Sequence, residues 1–111
     1  MDVLRESEGD VVVARLQGRL DSSAALTAEE GLTAVLGNEP PRVAIDMTGL
    51  SYISSAGLRV LLVVAKKVQQ KNGKVALFGL LPNVREVFTV SGFDSIFAIH
   101  GDRSAAVAAV R

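Results

Sequence analysis

The sequence contains no cysteine and no long apolar run. Without thiols the chain cannot form disulfides, thiolate zinc sites or a cysteine nucleophile. No apolar stretch approaches the roughly 18 residues of a membrane-spanning helix, and the N-terminus lacks the basic start and apolar centre of a secretion signal. The glycine-rich phosphate-binding patterns of nucleotide-binding domains are also missing. We therefore expect a cytoplasmic protein with no membrane insertion, no metal and no cofactor.

Charge of neither sign dominates, because the chain carries 12 basic and 12 acidic residues. Residues 1–46 hold nine acids and four bases, whereas residues 47–111 hold three acids and eight bases. Five bases form one stretch without an acid: Arg59, Lys66, Lys67, Lys71 and Lys74. This stretch could attract phosphates or an acidic protein surface, or it could be a solvated helix face. Nucleic-acid binding is not expected, because no aromatics lie between these bases and the overall charge is zero.

Apolar periodicity predicts that strands and helices alternate within one domain spanning residues 1–111. Two opening strands, 3–8 and 11–18, are joined by a glycine-containing turn, and later strands are predicted at "RVAIDM", "KVALFGL" and "SIFAIH". Helices are predicted after "GRLDSS", from about residue 55, after Pro82 and in "DRSAAVAAV". This spacing favours a mostly parallel sheet carrying helices, and the first hairpin makes the sheet mixed.

Residues that commonly cap helices predict where three of the helices begin or end. The candidates are Asp21 to Ser23 and Gly37 for the first helix, Asn83 and Gly92 for the third, and Asp102 for the last.

Two adjacent serines, Ser54 and Ser55, lie between the predicted strand Val43 to Asp46 and the second predicted helix. Ser54 or Ser55 can cap that helix, and the small residues Ala56 and Gly57 would leave room for another chain to approach the backbone. A serine at this position is also a surface hydroxyl at the positive end of a helix. Phosphorylation there would be tolerated by the fold, but a docked partner would have to desolvate the new dianion.

The second helix has two predicted faces. An inward stripe is formed by Leu58, Leu61, Leu62, Ala65 and Val68. Stepping 100° per residue points Val60 and Val63 away from this stripe, toward the side that carries Arg59, Lys66, Lys67 and Gln70. Two valines ringed by cations are interpreted as a docking face, and the alternative is incidental exposure or packing under a loop.

"VAIDMTGLSYISSAGLRVLLVVAKK" resembles the central motif of STAS domains, the family of bacterial anti-sigma-factor antagonists. The likeness extends to "LQGRLDSSAA" before the first helix and to "GKVALFGLLPNVREVFTVSGFDSIFAIH". The resemblance implies a single α/β domain with a mixed sheet of four or five strands and about four helices. It also implies a cycle in which a partner kinase phosphorylates one serine.

The same resemblance assigns individual residues. Ser55 falls on the family's phosphoacceptor, Gly57 on the glycine two residues later, Asp21 on an acid near the acceptor, and Asp46 on the acid that ends the preceding strand. Where many members have aspartate immediately before the acceptor, this chain has Ser54, so Ser54 stays an alternative acceptor. Asp21 could supply the missing carboxylate or could simply cap the first helix.

The resemblance favours a partner-switching regulator that is not itself an enzyme. Its partners would be a serine-kinase anti-sigma factor, or a similar switch kinase, and a PP2C-type phosphatase. An alternative is a non-switching accessory subunit of a lipid-transport ATPase or of a stress-signalling complex. A hydrolase using Ser55, Asp94 and His100 is a weaker hypothesis, because Ile53 replaces the first glycine of a nucleophile elbow.

Overall fold

A computed structural model describes residues 1–36 and 39–111. Strands β1 (Asp2–Glu8) and β2 (Val11–Leu20) form an antiparallel hairpin, as predicted. Three further strands, β3 (Arg42–Ile53), β4 (Lys74–Phe78) and β5 (Ile99–His100), add in parallel. The resulting mixed sheet has the order β1-β2-β3-β4-β5, so chain order and sheet order coincide.

Within the described residues, four α-helices connect and follow the strands. They are α1 (Ala25–Ala34), α2 (Ser55–Gln70), α3 (Pro82–Ser91) and α4 (Arg103–Val110). A short 3₁₀ turn, Phe93–Ser95, follows α3. The expected α/β class is confirmed, and the mixed sheet of four or five strands with about four helices is observed with five strands and four helices.

The sheet is covered on both faces because successive side chains of a strand point to opposite sides. On one face, Leu16 and Ile45 belong to a large core with residues of α1, α2 and α3. On the other face, Val13 and Ala44 form a smaller core with the apolar side of α4. This arrangement leaves the carboxyl ends of β2 and β3 beside the start of α2, where open α/β folds place their sites.

Strand β3 is longer than predicted, and the interpretation of Asp46 as the end of the strand is wrong. Asp46 is only 4% exposed and lies inside β3. Its carboxylate accepts hydrogen bonds from Arg15 Nε at 3.2 Å, from the Thr48 amide at 2.9 Å and from Thr48 Oγ1 at 2.6 Å. A buried charge with these partners is tolerated within a strand, so pairing with β2 continues to Ile53.

One strand predicted in the last third of the chain is also wrong. "SIFAIH" is not one strand, because Ser95 ends the 3₁₀ turn and only Ile99–His100 pairs with β4. Between them Phe97 packs edge-on against Phe88, with ring centroids 5.9 Å apart. This segment therefore fills the core and does not pair with the sheet.

The helix ends follow the local signals only in part. Gly92 ends α3 with φ +80° and Asp102 caps α4 by accepting from the Ala105 amide at 2.9 Å, as predicted. Asn83 does not cap α3, since the capping position is Leu81 and the Asn83 amide instead donates to the Ser51 carbonyl at 2.8 Å. The predicted end of α1 at Gly37 lies outside the described residues.

Candidate functional site

The candidate site lies where β3 passes into α2, beside the carboxyl end of β2. Leu20 and Ile53 are paired as the last residues of their strands. The chain then turns, and the Ser54 amide donates to the Leu20 carbonyl at 3.0 Å. Helix α2 begins one residue later, so its first turn is attached directly to the sheet edge.

Ser54 is the N-cap of α2. Its backbone is extended, and its Oγ accepts from the Gly57 amide at 3.2 Å. The same hydroxyl donates to the Leu20 carbonyl at 3.2 Å. Ser54 is partly buried, and its hydroxyl is engaged both as acceptor and as donor. This geometry is that of a structural cap, which satisfies an otherwise free amide of the first helical turn.

Ser55 has a different environment. It is the first residue of α2 and is exposed, and its hydroxyl makes no hydrogen bond to any residue in the described part of the chain. It lines a cavity of about 380 Å³ between the start of α2 and α3. The other lining residues are Leu58, Asn83, Glu86, Val87, Val90 and Ser91. Of the two serines, only Ser55 presents an uncommitted hydroxyl to the outside.

Gly57 is buried and does not leave room for another chain, as its small size had implied. A Cβ atom at this position would lie 2.6 Å from the Leu20 carbonyl oxygen and 2.8 Å from Leu20 Cγ. A residue without a side chain is therefore required at this position for close packing of α2 on β2. The neighbouring Ala56 is partly buried.

The prediction that Val60 faces solvent is wrong, because Val60 is only 4% exposed and belongs to the large core. Helix α1 packs along α2 on this side. Lys67 marks the contact, since its Nζ donates to Thr33 Oγ1 at 3.2 Å and lies 4.0 Å from Glu29 Oε2, both on α1. Val63 is partly buried rather than fully exposed. The proposed ring of cations around two free valines is therefore not formed.

Arg59 is the predicted partner-binding cation that stays accessible. It is exposed, and no hydrogen bond or ion pair joins it to residues 1–36 or 39–111. It follows Ser55 by four residues on α2, so the two side chains lie on the same side of the helix.

Asp21 directly follows the end of β2 and therefore lies beside the Ser54 attachment point. Its Oδ1 accepts from Ser23 Oγ at 2.7 Å, from the Ser23 amide at 3.1 Å and from the Ala24 amide at 3.1 Å. The hydroxyl of Ser23 is the main reason that the pKa of Asp21 lies below its ordinary value, with the two amides and Arg19 acting in the same direction. Asp21 thus organises the turn that precedes α1. The prediction that a residue from Asp21 to Ser23 caps this helix is wrong, because the capping position is Ala24 and no side chain caps it.

Two features of this region were missed in the sequence. One is the contribution of α3, whose Val87 and Val90 form a wall of the cavity although Val90 is 81% exposed. The i, i+3 spacing of these valines, outside the buried pair Val84 and Phe88, was the available signal. The other is Arg19, whose guanidinium lies 4.3 Å from the centre of the Tyr52 ring. Such a pair requires two strands to be in register and has no local sequence signature.

The hydrolase hypothesis gains no geometric support. Neither Asp94 nor His100 lines the cavity beside Ser55. His100 pairs with Phe78 in the sheet, and its Nε2 is buried without a hydrogen-bond partner among the described residues.

No cluster of three or more metal-ligating side chains occurs within residues 1–36 and 39–111. Over the same residues, every helix falls short of the length and apolar character that crossing a membrane requires.

The fold and the site define a small α/β domain that presents a serine at a helix start. A family model for the STAS domain matches residues 3–106, and the chain belongs to that family. BtrV of Bordetella bronchiseptica, named as an anti-sigma factor antagonist, is 46% identical over 101 residues, covering 91% of this chain and 87% of that protein. An anti-sigma-B factor antagonist of Listeria monocytogenes is 28% identical over 96 residues, covering 86% and 84%.

Solved structures agree with this assignment. The crystal structure of an anti-sigma factor antagonist from Mycobacterium paratuberculosis superposes with a TM-score of 0.88 at 26% identity. The match covers 99% of this chain and 93% of that one.

Proposed function

We propose that this protein is a cytoplasmic anti-sigma-factor antagonist that acts by partner switching. The unphosphorylated form binds a serine-kinase anti-sigma factor or a similar switch kinase, and phosphorylation of Ser55 releases it. The observation that carries the proposal is the contrast between the two serines. Ser54 is engaged as the helix cap, whereas Ser55 is exposed beside an apolar cavity. The names of the relatives support the same function.

Ser55 is the phosphoacceptor in this proposal. Its Oγ attacks the γ-phosphorus of ATP held by the kinase, a new O–P bond forms, and the bond from that phosphorus to the bridging oxygen of ADP breaks. ADP leaves, and the hydroxyl proton passes to a base of the kinase or to solvent. A PP2C-type phosphatase reverses the modification when water attacks the phosphorus and returns the serine hydroxyl and inorganic phosphate. The protein itself contributes the substrate hydroxyl and catalyses neither step.

The docking surface is centred on the Ser55 cavity. Leu58 forms its floor, and Val87 and Val90 of α3 provide apolar walls that are open to a partner. Glu86 on α3 lines the cavity, and Arg59, one helical turn after Ser55 on α2, adds a charge of opposite sign on the side of Ser55. An apolar centre with a polar rim is typical of protein interfaces.

A phosphate on Ser55 is expected to prevent docking without unfolding the protein. The start of α2 tolerates an anion because the helix dipole favours negative charge there by about 0.3 to 1 kcal/mol. A partner covering the cavity would have to desolvate about −1.5 to −2 charges, which costs several kcal/mol without a matching cation. Since about 1.4 kcal/mol is tenfold in affinity, that cost lowers binding by orders of magnitude.

The test begins with binding of a candidate serine-kinase anti-sigma factor, measured by calorimetry. Ser55→Ala should bind as the wild type does, and Ser55→Asp should bind at least tenfold more weakly. Ser54→Asp is the matched control for charge. Equal binding by wild type and Ser55→Asp would refute the switch.

The acceptor is identified separately, by peptide mapping after incubation with the kinase and ATP. Modification should fall on Ser55 and be absent in Ser55→Ala. A kinase that binds the protein but modifies neither Ser54 nor Ser55 would favour the accessory-subunit alternative.

A further inference from the structure

Arg59 is an exposed cation without an intramolecular partner, one helical turn from Ser55. Both residues lie on α2, and side chains four residues apart on a helix have Cβ atoms about 5–6 Å apart. Among the described residues, Arg59 takes part in no hydrogen bond or ion pair. Lys67, in contrast, is engaged with Thr33 and Glu29 of α1. Arg59 is thus free to bind a new anion at position 55.

We propose that Arg59 is the intramolecular counter-ion of phosphorylated Ser55. The proposal rests on the proposed function only in taking Ser55 as the modified residue. A guanidinium binds phosphate through two parallel N–H donors, which makes the pair stronger than a point-charge contact. The order also matters, because an anion four residues before a cation agrees with the direction of the helix dipole.

The other charges around Ser55 direct the phosphate toward Arg59. Glu86 of α3 lines the same cavity and would repel the dianion from that side. Asp21, which follows β2 beside the attachment of Ser54, adds negative charge at the sheet edge. The phosphate is therefore drawn along α2 and away from α3.

This pairing gives one modification two effects on the docking surface. The phosphate adds negative charge beside the apolar cavity, and it also occupies the cation that the unmodified protein offers to a partner. A partner carboxylate that binds Arg59 would lose its contact when Ser55 is phosphorylated. Arg59 would then contribute to release as well as to binding.

The magnitude can be worked from the separation along the helix. A unit positive charge about 6 Å away lowers the second pKa of a phosphate by about 0.5 pH unit in water, and by about half of that at physiological salt. Lys66 is also exposed on α2, but 11 residues after Ser55 it lies about 16 Å farther along the axis. Its expected effect at the same salt is below about 0.1 pH unit.

The experiment is a ³¹P NMR titration of protein with phosphoserine installed genetically at position 55, so that no kinase is needed. The phosphate of Arg59→Gln should have a second pKa about 0.3 pH unit higher than that of the wild type. Lys66→Gln is the matched control and should leave it unchanged, and Arg59→Lys should retain part of the shift. Circular dichroism checks that each variant keeps its helices.

The outcomes separate this proposal from the proposed function. An unchanged pKa in Arg59→Gln, or an equal rise in Lys66→Gln, would overturn the counter-ion assignment. Failure of the kinase to bind or to modify the protein would refute the partner switch and leave this titration interpretable.

Discussion

Replacing Gly57 with alanine tests how closely α2 is packed on β2. The new Cβ would lie 2.6 Å from the Leu20 carbonyl oxygen, 2.8 Å from Leu20 Cγ and 2.9 Å from Ile53 Cγ1. Two of these contacts are with side-chain atoms of the buried core, and the shortest is with the backbone carbonyl that also accepts both hydrogen bonds donated by Ser54. Either the start of α2 or strand β2 must therefore shift to make room for the methyl group.

The two energetic terms have opposite signs. Overpacking of this kind costs up to about 3 kcal/mol, whereas alanine in place of glycine favours a helix by about 1 kcal/mol. The free energy of unfolding should fall by about 2 kcal/mol, which corresponds to a decrease in Tm of about 8 °C for a domain of this size. Urea denaturation and thermal melting measure both quantities.

Gly101→Ala is the matched control. No atom lies within 4 Å of the Cβ that this substitution would add, and the φ of Gly101 is not in the left-handed region. Its free energy of unfolding should stay within about 0.5 kcal/mol of the wild type. If Gly57→Ala proved as stable as Gly101→Ala, the close packing of α2 on β2 would not be a constraint, and the reasoning would fail.

Four further substitutions test the local chemistry. Ser54→Ala should lower the free energy of unfolding by about 1 kcal/mol in urea denaturation through loss of the N-cap, and Ser55→Ala should leave it nearly unchanged; equal costs would contradict the division of roles. Asp46→Asn should lower the free energy of unfolding by about 1 to 3 kcal/mol in the same measurement. The Arg15 guanidinium now donates to the carboxylate, and in the variant it would face an amide N–H instead. An unchanged free energy of unfolding would show that the buried charge is dispensable. Asp21→Asn should flatten the pH dependence of Tm below about pH 4. The pKa of Asp21 is lowered in the folded state, so the stabilisation by its carboxylate is present above the unfolded pKa and is lost as the pH falls through the folded pKa. Curves of Tm against acidic pH that are identical for variant and wild type would refute this.

Several structural elements were predictable because their causes are local. A glycine-containing turn joins β1 to β2, Gly92 ends α3 in the left-handed conformation, and Asp102 caps α4 through a bond to an amide three residues away. Each of these effects needs only a few neighbouring residues. The alternation of apolar strands and amphipathic helices likewise predicted the mixed sheet.

The failed predictions share a different cause. Val60 was assigned to the surface because helical periodicity defines one buried stripe, but α1 covers a second side of α2. Asp46 was taken as a strand end because a polar segment follows the apolar run, but Arg15 on the neighbouring β2 pairs with it inside the strand. Asn83 was assigned as a cap, but its side-chain amide donates a hydrogen bond to the Ser51 carbonyl of β3. In each case the deciding contact comes from a residue distant in the chain.

The sequence by itself determined the order of strands and helices and the presence of two serines at the start of α2. It also determined the two helix ends whose partners lie within a few residues, Gly92 after α3 and Asp102 before α4, since capping of this kind is a short-range effect. Only the tertiary structure decided which serine is free. The Leu20 carbonyl engages Ser54 from another strand, and α3 folds beside Ser55 to form the cavity that it lines. Which hydroxyl is committed and which is accessible depends on contacts between segments more than 25 residues apart, and no local pattern records them.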